Sequence, residues 1–172
     1  VAMQKYLVRI KYKGFAYSGY QRQQNAHTVG EEVFRCLKSV FGEVDSLSGC
    51  SRTDKGVHAL DYAVSFNSER VLPEASVVRA MNANFPGDIS AFYCAYVPES
   101  FHARYDVISK EYVYKIYNGG TPDPFWKDFS FFYPSALDLG KMNQAAAHLL
   151  GTHDFTSFMA AGSKVTDCVR TI

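Results

Sequence analysis

Hydrophobic and polar residues alternate over positions 5–12, with Tyr6, Val8, Ile10 and Tyr12 on one face and Lys5, Arg9 and Lys11 on the other. That period of two predicts a half-buried β-strand. The pattern breaks over 12–24, where two glycines, several aromatics and Arg22 among amide side chains show no period, so a loop is predicted. Val29, Val33, Leu37, Val40 and Phe41 then recur at helical spacing, opened by Thr28 and Glu31 as a capping box and stopped by Gly42. A short strand near 44–49 leads into a polar loop. Beyond the loop Leu60, Tyr62, Val64 and Phe66 alternate with Ala59, Asp61, Ala63 and Ser65, a second strand pattern. Pro73 and Glu74 open a helix carrying Val77, Val78 and Met81. Phe85-Pro86-Gly87-Asp88 then turns the chain into a strand through Ile89, Ala91, Tyr93, Ala95 and Val97.

The resulting order, βαββαβ, is the ferredoxin-like (RRM-like) plan of an α+β protein, with helices on one face of an antiparallel sheet and the other face free. In many proteins that free face binds RNA. This first lobe is expected to occupy residues 1–105. A second lobe is expected over 106–172. Its predicted parts are a strand over 110–117 with Tyr112, Tyr114 and Ile116 on one face, a Gly/Pro-rich connection over 119–128 and a helix capped by Asp138. That helix is predicted to run through Met142, Ala145, Ala146, Leu149 and Leu150 to Gly151, and a last strand to cover 165–172. A copy of the first unit needs a further strand, helix and strand, so the second lobe is expected to be incomplete.

The 172 residues are 47% hydrophobic, a globular composition that excludes disordered and collagen-like classes. No apolar run approaches the roughly 20 residues that span a bilayer, and the first five residues lack a signal-peptide core. A cytoplasmic protein without membrane contact is therefore expected. Cys36, Cys50, Cys94 and Cys168 are widely separated with no Cys-x-x-Cys spacing, which predicts free thiols and no zinc site. His148, His153 and Asp154 near a helix end offer a weaker metal reading, against which a role in shaping the helix exit is favoured. The formal net charge of +1 confines any nucleic-acid site to a local patch.

The candidate chemistry lies in Gly49-Cys50-Ser51-Arg52-Thr53-Asp54-Lys55-Gly56-Val57-His58. A carboxylate ionised at neutral pH can serve as nucleophile or base. Arg52 and Lys55 beside it suit an anionic ligand, and the two glycines permit close backbone approach. By default an Asp next to an Arg in a glycine-containing turn is a turn residue with a local hydrogen bond. Residue types alone make Asp54 a candidate.

Its setting adds more. The run from Arg52 to His58 resembles the Gly-Arg-Thr-Asp-x-Gly-Val-His motif of the tRNA pseudouridine synthase A family. Further segments resemble that family in order along the chain. Tyr20-Gln21-Arg22-Gln23 is similar to its Gly-Trp-Gln-Arg-Gln loop, with Tyr20 for the more frequent Trp, and Asn82-Ala83-Asn84-Phe85-Pro86-Gly87-Asp88 is similar to its Asn-x-x-Leu-Pro-x-Asp turn. Phe101-His102-Ala103-Arg104 matches directly, Lys110-Glu111-Tyr112-Val113-Tyr114 fits a basic-x-Tyr-x-Tyr strand, and residues 151–158 fit Gly-x-His-Asp-Phe-x-x-Phe.

The resemblance implies an isomerase that converts uridine to pseudouridine in the anticodon stem-loop of tRNA, as a homodimer and without metal or other cofactor. It implies that Asp54 is the catalytic aspartate, that Tyr112 stacks on the extruded base and that Arg52 holds the loop and assists extrusion. Arg22, Lys55, His58, His102 and Arg104 stand in matched segments as substrate-binding candidates; by default each would be a solvated charge, a helix-pairing Arg or a buried His. The family's later Phe-Leu-x-x-Met-Val-Arg-like segment, source of an arginine that pairs with the aspartate, has no counterpart here, so the chain is expected to be truncated. A non-catalytic RNA-binding module is the competing reading.

Overall fold

In the computed structural model, which describes residues 3–163 and 165–172, the chain divides into two compact units, Val1–Lys110 and Glu111–Ile172. The first contains β1 (Gln4–Tyr12), α1 (Val29–Phe41), β2 (Asp45–Gly49), β3 (Ala59–Ser68), α2 (Glu74–Asn84) and β4 (Ile89–Tyr96). Its four strands form one antiparallel sheet in the order β2-β3-β1-β4. The expected ferredoxin-like order is thus present.

The register explains the core. Tyr6 lies opposite Phe66, Val8 opposite Val64 and Ile10 opposite Tyr62, so the alternating apolar residues of β1 and β3 share one face. Against it pack Val33 and Leu37 of α1 and Val77 and Met81 of α2, all fully buried. The rings of Tyr6 and Phe66 stack at 5.1 Å, and Phe41 at the end of α1 meets them at 5.2 and 5.1 Å. Each such side chain contributes roughly 1.5–3 kcal/mol by leaving water. The Thr28 hydroxyl accepts from the Glu31 N–H at 3.2 Å to start α1. At its other end Gly42, with φ of +84°, donates its N–H to Lys38.

A bulge opposite Arg9 and Ile10 leaves Phe92 as an extra residue in β4. On the sheet face away from the helices the Arg9 guanidinium lies 5.2 Å from the Phe92 ring and 5.8 Å from Tyr93, and the Lys11 amine lies 4.9 Å from Phe92. The segment after β4 returns to the sheet, where the Ala103 N–H donates to the Ser65 hydroxyl at 3.1 Å and Ala103 is buried.

The second unit holds β5 (Ile116–Asn118), β6 (Phe131–Tyr133), α3 (Leu139–Ala147), β7 (Thr152–Asp154), a 3₁₀ turn (Thr156–Phe158) and β8 (Val169–Thr171). β5 and β6 pair in parallel, β7 and β8 antiparallel. The strand expected over 110–117 is reduced to its last part, because residues 111–115 find no ladder partner among the described residues of this unit, and Tyr112 and Tyr114 are exposed. The expected strand over 165–172 likewise shortens to β8. Asp138 caps α3 as predicted, accepting from the Lys141 N–H at 3.0 Å, but the helix ends at Ala147. Its final bonds tighten to the 3₁₀ pattern at His148 and Leu149 before Gly151 turns the chain. Among the described residues none of Glu111–Ile172 is buried. No described helix is long and apolar enough to cross a membrane.

Candidate active site

Residues 50–58 join β2 to β3 without regular structure of their own, so neighbouring elements must shape them. The loop's tip is a β-turn over 54–57 in which the Val57 N–H donates to the Asp54 carbonyl at 3.2 Å. Gly56 takes φ of +81° at the third position, the conformation that a type II turn demands there. Asp54 is the first residue of that turn and is exposed, as are Arg52 and Lys55. Among the described residues the Asp54 carboxylate has no hydrogen-bond partner, so the backbone alone directs it.

The 12–24 loop holds this backbone from beside. The Tyr20 N–H donates to the Thr53 carbonyl at 3.1 Å, and the Gly56 N–H donates to the Tyr17 carbonyl at 3.3 Å. Gly19, with φ of +87°, passes so close to the Thr53 carbonyl that a Cβ would collide with it. His58 is a staple as well. Its Nδ1 accepts from the Gly14 N–H at 2.9 Å, which in the neutral ring places the proton on Nε2, and its edge meets Phe15 at 4.3 Å.

Three of the expected cations converge. Arg22, Arg52 and Arg104 line one cleft of about 250 Å³, together with Tyr20, Gln21, Ser48, Gly49 and Ser51. Arg22 is held by Glu31 at 2.6 Å and lies 4.0 Å over the Phe34 ring. Arg104 reaches the cleft because Ala103 is anchored on β3; its backbone N–H donates to His102 Nδ1 at 3.2 Å, and His102 packs on Tyr105 at 4.3 Å. Asp54 is two residues along the loop from Arg52 and is not part of the cleft lining. Tyr112 belongs to the second unit and is 78% exposed.

Beneath the loop lies a tyrosine cluster that sequence patterns gave no reason to expect as a cluster. The Tyr12 hydroxyl bonds the Thr53 hydroxyl at 2.9 Å, and the Tyr62 hydroxyl donates to the Ser51 carbonyl while accepting from the Ser51 N–H at 3.4 Å. The Tyr20 and Tyr62 rings meet at 4.4 Å. Burial pushes the Tyr12 hydroxyl up to about 12 and raises Tyr20 and Tyr62 further, so all three stay protonated donors at neutral pH. Tyr12 and Tyr62 read in sequence as ordinary strand aromatics and Tyr20 only as a replacement for Trp in a matched segment; the contacts among them arise from tertiary packing.

In the second unit His153 Nε2 bonds the Leu150 carbonyl at 2.7 Å, and Asp154 accepts from the Thr156 N–H and hydroxyl at 2.9 and 2.6 Å. His153 thus bonds the end of the helical segment and Asp154 the 3₁₀ turn that follows. Among the described residues no group of three or more His, Cys, Asp or Glu is placed to hold a metal ion.

No protein-family model matches the chain. Curated proteins do. A protein of Staphylococcus saprophyticus named tRNA pseudouridine synthase A is 39% identical over 166 residues, 96% of this chain and 62% of that protein. The proteins of the same name from Staphylococcus aureus strains Newman and JH1 are 40% and 39% identical over the same length. The chain thus spans about 62% of the length of these relatives.

Proposed function

We propose that this chain, a member of the tRNA pseudouridine synthase A family by its similarity over 96% of its length, carries the catalytic aspartate of an isomerase acting on uridine in tRNA. The observation that carries the reading is the loop itself: a carboxylate without a hydrogen-bond partner among the described residues stands at the head of a stapled turn, and Ser51 and Arg52 of the same loop line a cleft with Arg22 and Arg104. Asp54 attacks the nucleoside as the N1–C1′ bond breaks, and the bond it forms is broken again, freeing the carboxylate, before the product leaves. The base turns in the pocket, C5 bonds to C1′, C5 loses its proton and N1 gains one. Substrate and product are isomers, so the reaction consumes neither oxidant nor reductant.

Arg22, Arg52 and Arg104 meet the phosphates of the substrate strand, Lys55 adds charge at the turn and Tyr112 stacks on the extruded base. His102 holds the Arg104 backbone and His58 the turn, so both act on the substrate through the loops. By analogy with the family the substrate is the anticodon stem-loop and the enzyme works in the cytoplasm as a homodimer. In this reading the catalytic loop belongs to a lobe over 1–105 and the stacking tyrosine to a lobe from 106 onward.

Asp54→Asn in the full-length protein is expected to lower release of tritium from tRNA labelled at uridine C5 by at least ~10³-fold, tRNA binding changing far less. An unchanged rate would remove Asp54 from the mechanism. Binding of RNA without turnover is the second reading, favoured by Arg9, Lys11, Phe92 and Tyr93 on the sheet face away from the helices. Wild-type protein that binds tRNA and releases no tritium would establish it.

A further inference from the structure

The Asp54 carboxylate has no side-chain partner among the described residues, yet the backbone on either side of it is held closely. Three of the groups that hold it are tyrosines. The Tyr62 hydroxyl engages both ends of the Ser51 residue, donating to its carbonyl and accepting from its N–H. The Tyr12 hydroxyl takes the Thr53 side chain, and the Tyr20 N–H takes the Thr53 carbonyl. Residues 51 and 53 are therefore fixed immediately before Asp54, and the turn fixes residue 57 after it.

The cluster is built for this purpose in its packing as well. The Tyr20 and Tyr62 rings lie 4.4 Å apart and the Tyr12 and Tyr62 rings 5.7 Å apart. Gly49 lies against them without a side chain, and a Cβ there would run into both the Tyr62 hydroxyl and the Tyr20 ring. Tyr12 and Tyr62 come from β1 and β3, the two central strands of the sheet, and Tyr20 from the loop that borders the arginine cleft. The hydroxyls thus transmit the position of the most rigid part of the fold to the least regular part.

We propose that Tyr62 is a positioning residue for Asp54, with Tyr12 as its lesser partner: by gripping Ser51 and Thr53 they set the aim of a carboxylate that no side chain holds. The inference rests on the reading of Asp54 as nucleophile. A displaced reacting group costs rate rather than substrate affinity, and an error of about 1 Å can cost ~10²-fold. The ring of Tyr62 belongs to the core and its hydroxyl to the loop, which makes Tyr62→Phe the informative change.

In the full-length protein Tyr62→Phe is expected to lower kcat for pseudouridine formation ~10- to 100-fold with KM for tRNA within about 2-fold, and Tyr12→Phe to lower kcat about 3-fold. Amide exchange at Ser51 in Tyr62→Phe is expected to accelerate about 10-fold, with the amides of α1 unchanged. A purely structural role would instead speed exchange across α1 and the sheet and leave kcat per folded molecule unaltered. A kcat within about 2-fold of wild type, or unaltered exchange over 51–54, would overturn the proposal. If the wild-type protein made no pseudouridine, the functional reading would fall separately. Exchange confined to 51–54 would then still uphold the positioning of the loop, and its absence would reject it.

Discussion

The two units of this chain are both rich in aromatic side chains, and only the first buries them. In Val1–Lys110 strands of nine, ten and eight residues pair in register beneath two helices, and Tyr6, Phe66 and Phe41 meet in a sealed cluster. In Glu111–Ile172 every strand has three residues, and Tyr112, Tyr114, Phe125 and Phe158 are exposed. Apolar composition does not make a core. Strands long enough to present several same-face residues to a helix do, and a three-residue strand presents at most two.

The largest test separates the units physically. A polypeptide of residues 1–110 is expected to unfold cooperatively in urea with native-like amide protection in β1 and β3, whereas residues 111–172 alone are expected to show no cooperative transition. A sharp melt of the second fragment would break the contrast.

Within the intact chain the same contrast predicts unequal costs for one substitution. Phe66 is fully buried and Phe158 is 76% exposed. Phe66→Ala is expected to destabilise the first unit by about 3–5 kcal/mol, through lost transfer energy and the cavity left against Tyr6 and Phe41. Phe158→Ala is expected to cost under about 0.5 kcal/mol. Urea midpoints followed by the single transition of the first unit would measure the former, and an equal shift from Phe158→Ala would show that the second unit packs more tightly than its exposure indicates.

The first unit was legible in the sequence because its rules are local. Thr28, Glu31 and Gly42 mark α1 at both ends, and the alternation from Tyr6 to Tyr12 and from Tyr62 to Phe66 marks the two central strands, whose partners follow from the fold order. The loop over 50–58 stood out as a candidate site for a different reason: its residue string, with the ordered segments around it, resembles a family motif. Residues 110–115 misled because alternation states only which face a strand would present, and a strand forms only where a ladder partner exists. The convergence of Arg22, Arg52 and Arg104 and the grip of Tyr62 on Ser51 depend on positions brought together by the sheet. His58, read as a substrate contact, bonds the Gly14 N–H across forty-four positions, which no local pattern reports.

The smallest expected effect compares one ion pair from each unit. Arg9 and Asp61 face each other across β1 and β3 with two parallel bonds, Nε to Oδ1 at 2.8 Å and Nη2 to Oδ2. Lys141 and Asp138 meet at 3.5 Å in the first turn of α3, with both side chains largely in water. Hydrogen bonds from Arg9, then its charge and that of Lys11, hold the Asp61 carboxyl below its ordinary range. A depressed carboxylate contributes stability above its unfolded pKa, and the contribution is lost as pH falls through the folded value. Asp61→Asn is therefore expected to cost the first unit up to about 1 kcal/mol at pH 7, limited by solvent screening of a pair nearly half exposed, and to cost progressively less below about pH 4. Asp138→Asn keeps an oxygen to cap the Lys141 N–H and loses only the distant pair, so helix content by circular dichroism should not change. If the two substitutions had equal effects, the bidentate geometry on the sheet would contribute nothing beyond simple charge. A difference that persisted at pH 2 would show that Asp61 acts by packing rather than by its charge.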